Sequence, residues 1–325
     1  MTQATERFRD QPVTLINGVE GRVLSVPTAS PLNYHQVLSA PDDMLRIDVD
    51  GQLFLPPDRE AKALPTVIVA PGSLGVGEGH LAHAATLTGE GFAAFVLDSF
   101  GERAVTSTVA NQTQFSFAAS AYDVLAAFEV LAELPEVDES HLGAQGHSRG
   151  GTAVLCAATR RLADAVLGDG RGFKAVYAAY PWCGHQFVDP RVGTTRVRVI
   201  IGDRDEWCLP MQAQSYCQAV QLTGGDASFR LVAGAHHSFD RETALANIEE
   251  AKISPSAPTA YIANDGAFVH PVQGEADAEL VDRDLMVYAL KAGYGRIGAH
   301  IGSGKGEPEL FREDLLSFWT STLLD

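Results

Sequence analysis

Disulfide frameworks and long hydrophobic runs are both missing from this sequence of 325 residues. Its four cysteines form no CxxC pair and are too few for a disulfide scaffold at this length. Residues 104–122, one of the longest stretches without a charge, are rich in Thr, Ser, Asn and Gln, which excludes a membrane-spanning helix there. The first residues, MTQATERFRDQPV, contain no apolar core, so we expect no signal peptide. These absences predict a soluble cytoplasmic protein whose cysteines are reduced.

Positive charge is scarce as well. The sequence contains 24 Lys and Arg against 41 Asp and Glu, which gives a formal net charge of −17. Nucleic acids and anionic membranes both favour partners with a basic face, so the composition disfavours these two classes of partner. Apolar residues make up 46% and charged residues 20% of the chain, close to the averages of globular proteins. We expect a globular protein that acts on a small molecule, either as a monomer or as a homo-oligomer.

Short apolar runs without alternation recur along the chain and are typical of strands buried on both faces of a parallel sheet. These runs are TVIVA (66–70), FAAFVL (92–97), HLGAQG (141–146), KAVYAAY (174–180), RVRVII (196–201) and SFRLVA (228–233). The stretches predicted to be helical are 78–90, 115–134, 148–161, 210–222 and 307–324. Strands that alternate with helices indicate βαβ crossovers, so we predict an α/β fold with a doubly wound, mostly parallel sheet.

Two segments depart from this alternation. Residues 1–60 are expected to form an antiparallel N-terminal arm or edge strands, because MLRIDVDGQLFLPP alternates apolar and polar residues, with a turn near Asp50-Gly51. Residues 250–305 contain SPSAPTAY, several glycines and an acidic helix-like piece at 275–292. We interpret them as an insertion or a cap over the C-terminal edge of the sheet. All 325 residues are expected to form one domain.

The strongest motif is Gly146-His147-Ser148-Arg149-Gly150, a G-x-S-x-G sequence between a predicted strand and a predicted helix. In this context the motif forms a nucleophile elbow, a turn so tight that the residues two before and two after the serine must be small. The serine then lies at a helix N-terminus, where the helix dipole favours a developing negative charge. Ser148 is therefore the candidate nucleophile.

A serine hydroxyl is a weak nucleophile and needs a general base. In this type of fold the order along the chain is Ser, then Asp or Glu, then His. The strand RVRVII is followed by Asp203, Asp205 and Glu206, and the strand SFRLVA is followed by His236 and His237. Open α/β sheets place their chemistry at these carboxyl ends of strands. The sequence thus predicts a catalytic triad with several candidates for its acid and its base.

These motifs make the chain similar to α/β-hydrolases of the dienelactone hydrolase type. The resemblance rests on APGS (70–73), VLDSFGER (96–103), GHSRGG (146–151), YPWC (180–183), GDRDEWCLP (202–210) and GAHHSFD (234–240). It implies an α/β-hydrolase fold, with Asp205 as the acid by the family pattern G-x-x-D and His237 as the base by G-A-x-H-x-F. Dienelactone hydrolases proper use a cysteine nucleophile where this chain has Ser148, so the resemblance favours a serine esterase.

An oxyanion hole needs two backbone N–H groups. One comes from Arg149, the residue after the nucleophile, and similarity to the family implies that Ser73 in the loop after TVIVA supplies the other. That loop is rich in glycine, but it matches neither a P-loop nor a helix-opening G-x-G-x-x-G. His80 and His83 lie three residues apart on one predicted helix face, without a third ligand motif nearby. We therefore expect neither a cofactor nor a metal.

Four side chains are candidates for contact with a substrate. Arg103 and Arg149 could bind a substrate carboxylate, and Arg103 could instead pair with Asp98. Trp182 and Trp207 follow strand ends, so they could line the acyl pocket or serve ordinary packing. Their bulk favours small or aromatic substrates over long acyl chains.

The expected function is hydrolysis of a carboxylic ester or lactone by a serine hydrolase, through an acyl-enzyme. An acyltransferase or a peptidase using the same triad is an alternative. Residues 250–305 could form a lid that excludes water, which would favour transfer of the acyl group to an alcohol. A non-catalytic ligand-binding protein on a hydrolase fold is the second alternative, and an intact triad argues against it.

Overall fold

A computed structural model describes residues 7–57 and 63–324 of the chain. The strands in these residues are β1 (Leu15–Ile16), β2 (Val19–Glu20), β3 (Arg22–Ser30), β4 (Leu45–Phe54), β5 (Leu64–Ala70), β6 (Ala93–Asp98), β7 (Val137–His147), β8 (Ala175–Ala179), β9 (His185–Phe187), β10 (Arg196–Gly202), β11 (Ala227–Val232), β12 (Ala246–Ile253), β13 (Ala260–Ile262), β14 (Phe268–Val269), β15 (Ala276–Asp277) and β16 (Arg296–Ile301). The α-helices are α1 (Tyr34–Ser39), α2 (Glu78–Gly89), α3 (Phe117–Ala132), α4 (Arg149–Ala158), α5 (Arg160–Leu167), α6 (Pro210–Leu222), α7 (Asp282–Lys291) and α8 (Glu307–Trp319).

Eight strands form the main sheet, in the order β11-β10-β8-β7-β5-β6-β4-β3. Neighbouring strands from β11 to β6 run parallel, whereas β4 pairs antiparallel with β6 and with β3 at one edge. Each of the six apolar runs found in the sequence is a strand of this sheet. The predicted α/β fold, with a doubly wound and mostly parallel sheet and antiparallel N-terminal strands, is confirmed.

Helices cover both faces of the main sheet. On one face α3 packs against α4, and the Tyr216 hydroxyl of α6 donates to the carbonyl of Leu155 in α4. On the other face the ring of His83 in α2 lies 5.4 Å from the ring of Phe311 in α8. The strands between these layers are buried on both sides, which explains why their sequences do not alternate. No helix in the described parts of the chain is long and apolar enough to cross a membrane.

The prediction of a turn near Asp50-Gly51 is wrong, because β4 continues through both residues. Gly51 pairs with Leu24 of β3 on one side and with Leu97 of β6 on the other. The glycine permits close packing instead, since a Cβ at this position would lie 2.0 Å from Cζ of Phe95. A glycine inside a strand here marks the approach of an aromatic ring and not a reversal of the chain.

Residues 246–301, called the 246–301 segment below, form two small sheets and a helix. Strand β12 pairs antiparallel with β16, and β15, β14 and β13 extend from β9 as a four-stranded sheet. The segment bonds to loops that follow main-sheet strands: Ala260 N donates to the carbonyl of Gly184 after β8, and Trp207 Nε1 after β10 donates to the carbonyl of His300. The helix-like piece expected at 275–292 is the shorter α7. This segment therefore lies beside the carboxyl ends of the central strands.

Candidate active site

Ser148 occupies a sharp turn between the end of β7 and the start of α4. Its backbone has φ 55° and ψ −114°, a region that residues with a side chain rarely adopt. Two glycines make the turn possible: a Cβ at Gly146 would lie 2.0 Å from the carbonyl oxygen of Gly150, and a Cβ at Gly150 would lie 2.3 Å from that of Ala70. Backbone strain of this kind costs about 1–3 kcal/mol and clusters at functional sites. The small residues on either side of Ser148 thus have a steric reason.

Ser148, His237 and Asp205 form one chain of hydrogen bonds. His237 Nε2 lies 2.9 Å from Ser148 Oγ, and His237 Nδ1 lies 2.7 Å from Asp205 Oδ2. The second carboxylate oxygen of Asp205 accepts the backbone N–H groups of Trp207 at 2.8 Å and Cys208 at 2.9 Å. The Asp205 side chain is fully buried. These fixed donors therefore hold its carboxylate in one orientation toward the imidazole.

The remaining acidic and histidine candidates have other partners. The Asp203 carboxylate accepts a backbone N–H from the loop after β11 at 2.7 Å. Glu206 Oε2 lies 2.7 Å from Nδ1 of His300 in β16. The His236 ring also lies beside His300, with 6.1 Å between the ring centroids. Asp203 thus fixes a neighbouring loop, whereas Glu206 and His236 face the 246–301 segment.

The two expected oxyanion-hole residues line a cavity together with Ser148. Neither Ser73 N–H nor Arg149 N–H donates a hydrogen bond to any residue that the structure describes. The N–H of Ser148 is engaged by the Ala179 carbonyl at 2.9 Å. The loop of Ser73 is held because its carbonyl accepts Thr108 N–H at 2.7 Å. Two free backbone donors that line the same cavity as a serine hydroxyl suit the binding of an oxyanion.

A cavity of about 50 Å³ opens beside Ser148. Its apolar wall is formed by Phe117, Trp182, Trp207, Ile253 and Met286. The last two residues belong to the 246–301 segment, which therefore forms part of the wall. Trp182 and Trp207, which the sequence indicated as possible pocket residues, both line this cavity.

Arg103 does not line this cavity, which corrects its interpretation as a possible substrate contact. Its guanidinium pairs with Asp123 at 2.7 and 3.0 Å and donates to the Ser30 hydroxyl and to two backbone carbonyls. These five contacts occupy all five N–H donors of an arginine. The pairing with Asp98 is also wrong, since Asp98 accepts two backbone N–H groups of the loop that follows it. Arg103 is thus a structural residue.

The Arg149 guanidinium is buried and holds the loop before α3. It donates to the carbonyls of Gln112, Phe115 and Ser116 at 3.0, 2.6 and 2.9 Å. It also lies 4.3 Å from the ring centre of Phe115 and 4.1 Å from that of Phe117. Burial lowers the pKa of Arg149 to about 10. These partners bind the charge within the protein, so this side chain is not the free carboxylate receptor that the sequence suggested.

Arg241 is a site residue that the sequence reasoning missed. Its side chain lines a second, smaller cavity together with Gly72, Ser148 and His237. Within the part of the chain that the structure describes, its guanidinium forms no hydrogen bond or ion pair. The sequence feature that could have identified Arg241 is its position directly after the histidine motif, in GAHHSFDR. Arg241 is therefore a charged group that lines the same cavity as Ser148 and has capacity for a ligand.

His83, His147 and Asp240 form a largely buried cluster whose candidate ligand atoms lie within 4.8 Å of one another. Asp240 is already bound by His83 Nε2 at 2.8 Å and by the Tyr180 hydroxyl at 2.7 Å. The His83 and His147 rings stack, with an angle of 12° and centroids 4.6 Å apart. A bound metal lies in the plane of each imidazole ligand, so two stacked parallel rings cannot share one ion. His80 accepts a backbone N–H at the start of α2, and this histidine group does not fit a metal site.

Several solved structures are similar to this chain at low sequence identity. Among solved structures, Est1E from Butyrivibrio proteoclasticus is 16% identical, covers 59% of this chain and 86% of its own, and has a TM-score of 0.44. A putative dienelactone hydrolase from Klebsiella pneumoniae is 15% identical, with 67% and 89% covered and a TM-score of 0.49. A dienelactone hydrolase-like promiscuous phosphotriesterase from metagenomic libraries is 16% identical, with 84% and 97% covered and a TM-score of 0.47.

A search of curated proteins finds no match. The family model described as "Dienelactone hydrolase family" matches residues 49–257. The matched residues include most of β4, all of β5 to β11 and all three members of the Ser148–His237–Asp205 chain of hydrogen bonds. The family resemblance noted from the sequence motifs is thereby confirmed, and this chain belongs to the dienelactone hydrolase family.

Proposed function

We propose that this protein is a serine hydrolase that cleaves a carboxylic ester or lactone through an acyl-enzyme. The observation that supports this most directly is the unbroken chain of hydrogen bonds from Asp205 through His237 to Ser148. Ser148 lies on a strained turn that opens into a cavity, as an attacking nucleophile requires. Membership of the family supports a hydrolase in general, and the triad is our reason for assigning the chemistry to serine.

In the proposed reaction Ser148 Oγ attacks the substrate carbonyl carbon while His237 Nε2 takes the hydroxyl proton. Asp205 keeps the imidazole oriented and stabilises the imidazolium. The tetrahedral oxyanion binds the N–H groups of Ser73 and Arg149, and loss of one such donor costs about 3–4 kcal/mol of transition-state stabilisation. His237 then gives the proton to the leaving alcohol as the C–O bond breaks. Water attacks the acyl-enzyme by the same route and releases the acid and Ser148.

The same proposal covers the organisation of the chain. We infer one hydrolase domain, with residues 1–60, of which the structure describes 7–57, as an arm of edge strands and residues 250–305 as a cap over the site. The contribution of Ile253, Ser254 and Met286 to the wall of the Ser148 cavity supports the cap. The four cysteines are buried and free of disulfides, which suits the cytoplasmic location expected from the sequence.

Labelling with a fluorophosphonate tests this function. We expect one covalent adduct, located at Ser148 by peptide mass spectrometry, and loss of esterase activity in proportion to the label. The absence of both label and ester turnover would favour a ligand-binding protein on a hydrolase fold. Products formed with added methanol distinguish a hydrolase from an acyltransferase, because an acyltransferase forms mainly the methyl ester and a hydrolase mainly the acid. Cleavage of peptide substrates in preference to esters would indicate a peptidase.

Short or aromatic esters are expected to be better substrates than long-chain esters. The cavity beside Ser148 measures about 50 Å³ and is bounded by Phe117, Trp182 and Trp207, so a short acyl group fills it and a long acyl chain must extend beyond it. One misplaced methylene already costs about 1–3 kcal/mol in a closed pocket. A series of p-nitrophenyl esters from acetyl to palmitoyl should show kcat/KM falling about tenfold or more beyond short acyl groups. A maximum at twelve carbons or longer would contradict the small pocket.

A carboxylated lactone belongs in the same series, because it separates the charge of the whole chain from the charge at the site. The net charge of −17 disfavours anions at a distance, and salt weakens this effect over a screening length of about 8 Å. We expect neutral substrates to be preferred, with a smaller preference at high salt. A strong preference for the carboxylated lactone at both salt concentrations would show that Arg241 outweighs the net charge, and would indicate a dienelactone-type substrate.

A further inference from the structure

The imidazole of His237 is packed against two aromatic rings. The Trp207 indole stacks on it, with centroids 5.5 Å apart and planes 22° apart. The Tyr180 ring meets it edge-on at 4.7 Å. A catalytic base must keep Nε2 toward Ser148 and Nδ1 toward Asp205 at the same time, so a tilt of the ring lengthens one of these hydrogen bonds. The stacked indole opposes such a tilt.

Trp207 is held in turn by strand β16 of the 246–301 segment. Its Nε1 donates to the carbonyl of His300 at 2.9 Å. The preceding residue, Glu206, accepts both the backbone N–H and the Nδ1–H of His300, at 2.8 and 2.7 Å, on one oxygen. The other carboxylate oxygen accepts Arg296 Nη2 at 2.7 Å. The loop after β10 that contains Asp205, Glu206 and Trp207 is called the acid loop below. Four hydrogen bonds therefore join two adjacent residues of the acid loop to one short strand.

The same strand contacts the loop that contains the base. Gly302 N, one residue beyond β16, donates to the His237 carbonyl at 2.9 Å, and Ile301 forms an isolated parallel bridge with His237. Asp205 and His237 are 32 residues apart in the sequence. Strand β16 thus ties together the two loops that supply the acid and the base.

Glu206 is suited to be the charged anchor of this arrangement. Burial raises the pKa of Glu206, but the hydrogen bonds from His300 and Arg296 outweigh this effect and lower the pKa to about 2. The side chain is therefore a carboxylate at any pH used for an assay. A neutral glutamine cannot replace it, because its NH₂ group would face either the two donors of His300 or the donor of Arg296.

We propose that Glu206 is a positioning residue for the catalytic histidine: it binds β16 to the acid loop, so that Trp207 holds the His237 ring in line with Ser148 and Asp205. This inference rests on the proposed serine hydrolase function. Glu206 does not line the cavity beside Ser148. Its loss should therefore lower kcat and leave substrate binding nearly unchanged.

The test compares Glu206→Gln with Glu139→Gln. Glu139 pairs with Arg171 at 2.8 Å near the amino end of β7, so the control loses the same type of ion pair at the opposite end of the sheet. We expect E206Q to lower kcat on a short ester about tenfold, with KM within about twofold, since a small misplacement of a catalytic group affects the rate strongly. Phosphonylation of Ser148 should slow by a similar factor. E139Q should keep the kcat of the unmodified enzyme.

Trp207→Phe provides a second variant, because phenylalanine keeps a ring against His237 and removes the Nε1–H bond to His300. We expect W207F to lower kcat. The kcat of the E206Q/W207F double variant should be close to that of the less active single variant, because both substitutions act through His300. Equal kcat for E206Q and E139Q, or single effects that multiply in the double variant, would overturn the proposal. If E206Q does not fold, an unchanged kcat in W207F overturns it. Activity retained after Ser148→Ala would instead reject the serine hydrolase function itself.

Discussion

Replacing Ser148 by alanine is expected to lower kcat on a short p-nitrophenyl ester by about 10⁴-fold or more. The reason is the loss of the one hydroxyl that is bonded to His237 Nε2, at 2.9 Å, beside the free N–H groups of Ser73 and Arg149. The remaining oxyanion donors and the cavity still bind an ester, so KM should change much less than kcat. Steady-state kinetics with enzyme concentrations matched by absorbance measure this effect.

Ser140→Ala is the matched control for this variant. Ser140 lies in the same strand, β7, and is exposed, with its hydroxyl bonded to Asp138 at 2.6 Å. It should retain full activity, which separates the loss of a nucleophile from a general effect of removing a serine from β7. If S148A kept more than a tenth of the activity, the assignment of the nucleophile would be wrong.

Asparagine at position 205 should reduce kcat by about 10³–10⁴-fold, whereas asparagine at position 203 should cost about tenfold or less. Asp205 accepts Nδ1–H of His237 at 2.7 Å and sets the tautomer that leaves Nε2 free to take the serine proton. Asp203 instead accepts the backbone N–H of Gly234. The two variants are the same chemical change two residues apart in one loop, so each serves as the control for the other.

The same design applies to the paired histidines. His237→Ala should abolish most activity because no other base lies within hydrogen-bond distance of Ser148 Oγ among the described residues. His236→Ala should cost about tenfold or less, since that ring faces His300. The kcat of all four variants tests the two assignments, and their thermal unfolding shows whether each variant is folded. A reversed order in either pair would show that the register of that loop has been assigned wrongly.

Cys208 raises the question of a thiol nucleophile, since dienelactone hydrolases proper use cysteine. It lines the cavity beside Ser148, but burial raises the pKa of its thiol well above the ordinary value. A buried thiol remains protonated at neutral pH, and the thiolate is the reactive form. The imidazole of His237 is hydrogen-bonded to the serine hydroxyl. The site therefore favours Ser148, and Cys208 is part of the wall.

Much of the fold and of the triad is predictable from the sequence because it depends on local rules. Strands buried on both faces have short apolar runs, and these runs located the parallel part of the main sheet. The elbow around Ser148 requires small residues at positions 146 and 150 for steric reasons, so the two glycines predict it directly. The choice between Asp203 and Asp205 came from the family pattern, because a strand-end position does not show which carboxylate points toward the histidine.

The contacts of the charged residues were decided only by the tertiary structure. Arg103 binds Asp123 and not Asp98, Glu206 binds His300, and Arg241 lines a cavity beside Ser148. Glu206 and His300 are 94 residues apart, and no periodicity or motif connects residues at such a distance. A local motif restricts the backbone near itself, whereas the partner of a charged side chain depends on which distant segment packs against it. The sequence thus determined the elbow and the strands, and the packing of the 246–301 segment determined how the acid and base loops are held.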